Sequence, residues 1–216
     1  MQFNGLQQFF LWAIPMLFAI TLHEVAHGWV ARYRGDPTAS ILGRLSLNPL
    51  KHVDMWGTVI IPILLYLAGG FIFGWAKPVP VDWRNLKNPR WDMALVALAG
   101  PLSNLLMAII WASLAYLGLQ VQHSLAWFGL ILFYMGLIGI KMNLMFLVLN
   151  LIPIPPLDGS RVVTSLLPAR AALHYNALER YGFLILLVLL ASGILAAVMM
   201  PLVKLGFTLL GSLFGL

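Results

Sequence analysis

The sequence predicts an all-α polytopic membrane protein: four to six transmembrane helices, one re-entrant hairpin, and short β segments near a candidate active site. Three observations lead there. Of 216 residues, 61% are hydrophobic and 9% charged, with a mean hydropathy of +0.91, too apolar for a water-soluble domain of this size. Several apolar stretches are long enough to cross ~30 Å of hydrocarbon. The polar connections, 32–56, 75–93 and 150–177, are too short or too proline-interrupted to fold separately. Residues 1–216 therefore read as one integral-membrane domain, and any regulatory domain would have to come from a partner.

The elements follow in chain order. Residues 8–33 form a first span; the start, Met1-Gln2-Phe3-Asn4, lacks the basic region of a signal peptide, so this segment is expected to stay uncleaved. Residues 56–73 are apolar but contain Pro62 and Gly69-Gly70, and basic connections flank them on both sides, which favours a re-entrant hairpin over a full crossing. Spans are expected at 94–119, 125–149 and 177–200. The tail, 201–216, is short and reads as a tilted or partial last helix.

The net charge of +6 could suggest nucleic acid, but the placement of the charges argues against it. Eleven of the thirteen Lys and Arg fall in the three long connections or, as Arg180 does, just beyond one, and none in 119–126. By the positive-inside rule those connections are cytoplasmic and the 119–126 turn lies outside. The basicity orients the chain in its bilayer and implies no nucleic-acid partner. With no cysteine in the chain, disulfides, thiolate zinc sites and a cysteine nucleophile are all excluded, leaving His, Asp and Glu as metal ligands.

Within the first span, Thr21-Leu22-His23-Glu24-Val25-Ala26-His27-Gly28 places two histidines at i and i+4 on one helix face, with a carboxylate beside them. That is the minimal zinc-hydrolase signature: His23 and His27 ligate and Glu24 serves as general base. The bland alternative has both histidines bonding to neighbours while Glu24 pairs with Arg32 or Arg34. The orientation above brings the inner end of the first span to the same depth as the sequence after Leu149, Asn150-Leu151-Ile152-Pro153-Ile154-Pro155-Pro156-Leu157-Asp158-Gly159. Three prolines unwind the backbone there, and unwound backbone at membrane depth lines polar cavities. Asp158 is then the third ligand, or else caps the helix that follows.

The elements HEVAHG, ALAGPLSN (97–104) and NLIPIPPLDG (150–159) resemble those of the site-2 protease family of intramembrane zinc metalloproteases. GDPTA, GRLSLNPLKHVD and GWAKPVPV further resemble its compact prokaryotic branch, which lacks an appended PDZ domain. The likeness covers about residues 8–200. It implies one Zn2+ held by His23, His27 and Asp158, catalysis by Glu24, and assisting polar roles for Asn104 and Asn150. It also implies single-span membrane-protein substrates, in a prokaryotic inner or plasma membrane with the active site toward the cytoplasm.

Other residues keep two readings. Asn150 is a candidate oxyanion donor or satisfies carbonyls freed by Pro153 and Pro155. Asn104 contacts substrate backbone or bonds to another helix. His52 and Asp54 form an extra metal site or a solvated pair. Lys141, inside the 125–149 span, needs a partner or a wet cavity. Residues 39–48 alternate partly at period two and could pair with an unwound substrate by strand addition. Two other functional classes stay open, a metal or ion transporter and a non-proteolytic binding scaffold. A transporter would present several carboxylates along a path, and a scaffold would have lost Glu24 or a ligand.

Overall fold

The computed structural model describes residues 3–61, 64 and 77–216. Helix α1 is Gly5–Tyr33, opened by Asn4 and Gln7 in a reciprocal cap, which satisfies two orphan backbone donors. A short α2, Thr38–Ile41, and single 3-10 turns at Pro49–Lys51 and Trp83–Asn85 lie in the connections. Two long antiparallel helices follow, α3 (Pro89–Val121) and α4 (Ala126–Leu151). Then come α5 (Asp158–Leu166), α6 (Ala169–Asn176), α7 (Glu179–Ala191) and α8 (Ile194–Phe214). Helices α1, α3, α4 and α8 are long and apolar enough to cross a membrane, and α6 with α7 forms a further pair bent by 57°. The chain is an integral membrane protein.

In lipid, apolar burial hardly drives helices together, so close backbone approach must. Ala108, Ala112 and Ala115 of α3 have no exposure. Gly136 of α4 backs onto Ala115 and Gly139 onto the Trp111 ring, where a side chain on either glycine would collide. Around this seam Met107, Ile140, Leu144, Val203 and Leu210 join α3, α4 and α8 into one core.

Ions join α1 to α3. Arg34 Nε lies 2.6 Å from Asp92 Oδ1, and Asp92 has no exposure; the Asn88 N–H donates to the second carboxylate oxygen at 2.8 Å. Breaking a buried pair strands a charge, so Asp92→Ala should destabilise the protein by about 3 kcal/mol, read as a lower thermal midpoint in detergent. Below this pair, buried Asp36 accepts from the Asp82 N–H at 2.8 Å and Asn85 Nδ2 at 3.0 Å. Burial pushes the Asp36 carboxyl up, but the hydrogen bonds from Asn85, Thr38 and Asp82 outweigh it and hold it below the usual range. Arg84 beside Asp82 holds that carboxyl down at about 2.

Three expectations change. The span placed at 177–200 is broken: α7 ends at Ala191 because Gly193 takes a left-handed backbone, φ 76°, open to glycine at no steric cost. The 201–216 tail is instead most of α8, with Pro201 inside the helix, where neighbouring helices make it tolerable. No strand occurs among the described residues. The 39–48 segment begins in α2 and is then tied by side chains: Arg44 Nη2 donates to the Lys77 carbonyl at 2.9 Å, and His52 Nε2 meets the Ser46 carbonyl at 2.8 Å. Most of the hairpin expected at 56–73 lies outside the described residues.

Candidate metal centre

One turn separates His23 from His27, and α1 presents both rings to α3. Each ring is held by its outer nitrogen. His23 Nδ1 is 2.7 Å from Asn104 Oδ1, and His27 Nδ1 is 2.7 Å from the Val96 carbonyl. Asn104 is oriented in turn, its amide donating to Asn143 Oδ1 at 3.0 Å and the Ala19 carbonyl at 3.2 Å, while the Asn143 amide donates to the Gly139 carbonyl at 2.9 Å. This relay makes Asn104 Oδ1 an acceptor, so His23 spends its ring proton on Nδ1. The carbonyl of Val96 does the same for His27. Both Nε2 atoms are left as bare lone pairs, the state a metal needs.

Those lone pairs converge. The two Nε2 atoms are 3.1 Å apart, and Asp158 Oδ2 lies 3.1 Å from one and 3.4 Å from the other. Bonds of about 2.0–2.1 Å at the tetrahedral angle would space zinc ligands roughly 3.3 Å apart. Three acceptors this close repel one another, and Asp158 Oδ2 is a buried oxygen that no donor satisfies; a cation resolves both conflicts. The residues present therefore fit a zinc ion. Asp158 is the first residue of α5, and its side chain makes no helix cap. Gly159 makes the approach of α5 feasible, since a side chain there would meet the Leu151 carbonyl. Gly100 does the same for α3, because any Cβ on it would strike the His23 and His27 rings.

Glu24 does not pair with Arg32 or Arg34. Its Oε2 accepts the Val79 N–H at 2.7 Å, which anchors the carboxylate beside the histidines. The strap carrying Val79 is braced from the other connection, where Arg44 grips the Lys77 and Pro78 carbonyls and the Lys77 N–H donates to the His52 carbonyl at 2.9 Å. Glu24, the three ligands, Val79 and Arg161 are among the residues that line a cavity of about 320 Å³. Arg161 sits over the Trp83 ring and pairs with Glu179 at 2.8 Å.

The remaining site candidates separate clearly. Asn150 lines the cavity, with its amide donating to the Phe146 carbonyl at 3.0 Å. Asn104 has no exposure, and its hydrogen bonds go to α1 and α4, where it orients the His23 ring. His52 is buried, not solvated, and Asp54 caps the turn at Met55–Ile60 through the Gly57 N–H. Among the described residues, His23, His27 and Asp158 are the one metal-capable cluster. Asn143 and the Val96 carbonyl went unnoticed in the sequence; an amide inside an apolar span was the available signal for the first, and nothing marks a backbone carbonyl. Asn104→Ala should strand the His23 Nδ1–H and weaken metal binding about 10–100-fold, measured by competition with a chromogenic chelator.

The chain is 40% identical over 198 residues to YwhC of Bacillus subtilis (strain 168), covering 89% of this chain and 85% of that one. It is 31% identical over 175 residues to Rip2 of Mycolicibacterium smegmatis, covering 81% and 64%. It is 34% identical over 143 residues to MJ0611 of Methanocaldococcus jannaschii, covering 65% and 62%. Each of the three is named as a candidate zinc metalloprotease. No solved structure matches. The model of peptidase family M50 matches residues 11–125, and with the 40% identity to YwhC the chain belongs to that family, the site-2 protease family of zinc metalloproteases.

Proposed function

We propose that this protein hydrolyses a peptide bond within or beside the transmembrane segment of single-span membrane proteins, with Glu24 as general base. What supports the reading above all is the pairing of three converged lone pairs with an anchored carboxylate in one cavity of about 320 Å³. Zinc held by His23, His27 and Asp158 supplies Lewis acidity that activates water and polarises a carbonyl. Glu24 takes the proton of the attacking water and passes it to the departing amide nitrogen. The Val79 N–H keeps that carboxylate in one rotamer, so the transfer needs no side-chain search. Asn150 serves as a donor to the developing oxyanion once its amide turns from the Phe146 carbonyl. The basic connections, by the positive-inside rule, support a cytoplasmic location for this chemistry in a prokaryotic plasma membrane.

The test compares membrane proteomes of cells carrying the native chain and Glu24→Gln. Single-span proteins should accumulate in the variant and yield no shortened fragments. Unchanged proteomes, or metal flux that survives the substitution, would favour a transporter instead.

A further inference from the structure

Two lysines lie midway along apolar helices, away from the metal centre. Lys141 lies on α4 and Lys204 on α8, and both line one cavity of about 560 Å³ whose other walls are Met200, Pro201, Val203 and Phe207. Both lysines are exposed at the outer face of the bundle. Lys204 is ten residues from each end of Ile194–Phe214, so about 15 Å of helix separates it from either membrane surface. A lysine stem spans less than half of that, so the ammonium cannot reach interfacial water by bending along the helix. A charge held at such depth is normally paired.

The chain itself supplies no counter-ion. Its seven carboxylates are all placed elsewhere: Glu24 at Val79, Asp36 at Asn85, Asp82 at Arg84, Asp92 at Arg34, Asp158 in the candidate metal centre and Glu179 at Arg161, with Asp54 at the Gly57 N–H. A second copy of the chain therefore has no spare acid to offer. Lipid phosphates lie at the interface, out of reach for the same reason that water is. The anion must arrive at mid-depth on another helix.

We infer that the α4–α8 face docks the transmembrane helix of a partner subunit bearing an Asp or Glu near its centre, which sits between Lys141 and Lys204. The partner is a resident subunit, not a substrate. No residue of α8 lines the catalytic cavity, and Lys141 is nine residues before Asn150, about 14 Å along the helix. A helix seated there stays folded and away from Glu24.

The experiment uses the full-length protein co-reconstituted with a designed Leu/Ala single-span probe carrying Asp, Asn or Leu at its centre, or Asp one turn from its end, with association read by energy transfer. The central-Asp probe should bind about tenfold more tightly than the Leu probe, stay uncleaved, and lose that preference in Lys141→Met/Lys204→Met. Zinc content should be unchanged in the double variant; should it misfold, the single variants, each expected to lose part of the preference, carry the test. Equal binding of the Asp and Leu probes overturns the inference, as does preference for the end-placed Asp. Lysine-dependent cleavage of the probe would overturn it in favour of a substrate site. A lysine-dependent enrichment of phosphatidylglycerol over phosphatidylcholine, with no probe preference, would overturn it in favour of lipid. The binding and lipid readouts are independent of whether Glu24 is the catalytic base.

Discussion

Glu24→Gln should lower turnover by about 10²–10⁴-fold, the range that a positioned general base supplies, while one zinc per chain remains bound. The two outcomes separate because Glu24 is not among the three converged ligand atoms; its oxygen meets the Val79 N–H at 2.7 Å. Glutamine is isosteric and still offers an oxygen to that N–H, so the strap and the cavity should keep their shape. The measurement is cleavage of a reconstituted single-span substrate alongside metal analysis of the same preparation. Loss of zinc with activity would show that Glu24 ligates; retained activity would remove it from the mechanism.

Asp158→Asn should abolish zinc retention and, with it, cleavage, with affinity falling by well over the ~100-fold that supporting residues command. The more telling result concerns the metal-free protein. With the carboxylate present, the two Nε2 atoms and the Asp158 oxygen face one another at 3.1–3.4 Å. An asparagine amide would donate to one bare Nε2 and relieve that repulsion. Metal-free Asp158→Asn should therefore melt no lower than metal-free native protein. Zinc should raise the native melting point, by about 2.7 kcal/mol of stability at a hundredfold excess over its dissociation constant, and leave the variant's almost unmoved. A variant that gains as much from zinc as the native chain would remove Asp158 from the ligand set.

The candidate ligand cluster was readable because its information is local. His23 and His27 share a helix face by spacing alone, and Asp158 announces itself as the one carboxylate beside a proline-broken stretch at matching depth. Helices α1, α3 and α4 were likewise legible, since polar connections bound them. The C-terminal third was not. From Phe183 onward the chain is apolar almost to its end, so hydropathy sets no boundary there, and Pro201 looked like a stronger break than Ser192-Gly193. The structure reverses that weighting: Gly193 turns the chain and Pro201 rides inside α8. Asn104 was legible as polar and out of place, but its task depends on Ala19, His23 and Asn143 arriving from two other helices. No window along the sequence contains that meeting.

The relay from the Gly139 carbonyl through Asn143 and Asn104 to His23 bears on the order in which the nascent polypeptide becomes dangerous. A ribosome that has delivered only the first two long helices has produced both histidines, their glutamate and Asn104, yet neither Asn143, which orients the Asn104 amide, nor the aspartate that completes the grip. Competence to cut therefore arrives late and at a single step, after α4 has inserted and Asp158 has emerged. Truncated or misinserted products of the same gene should be harmless to the membrane that holds them.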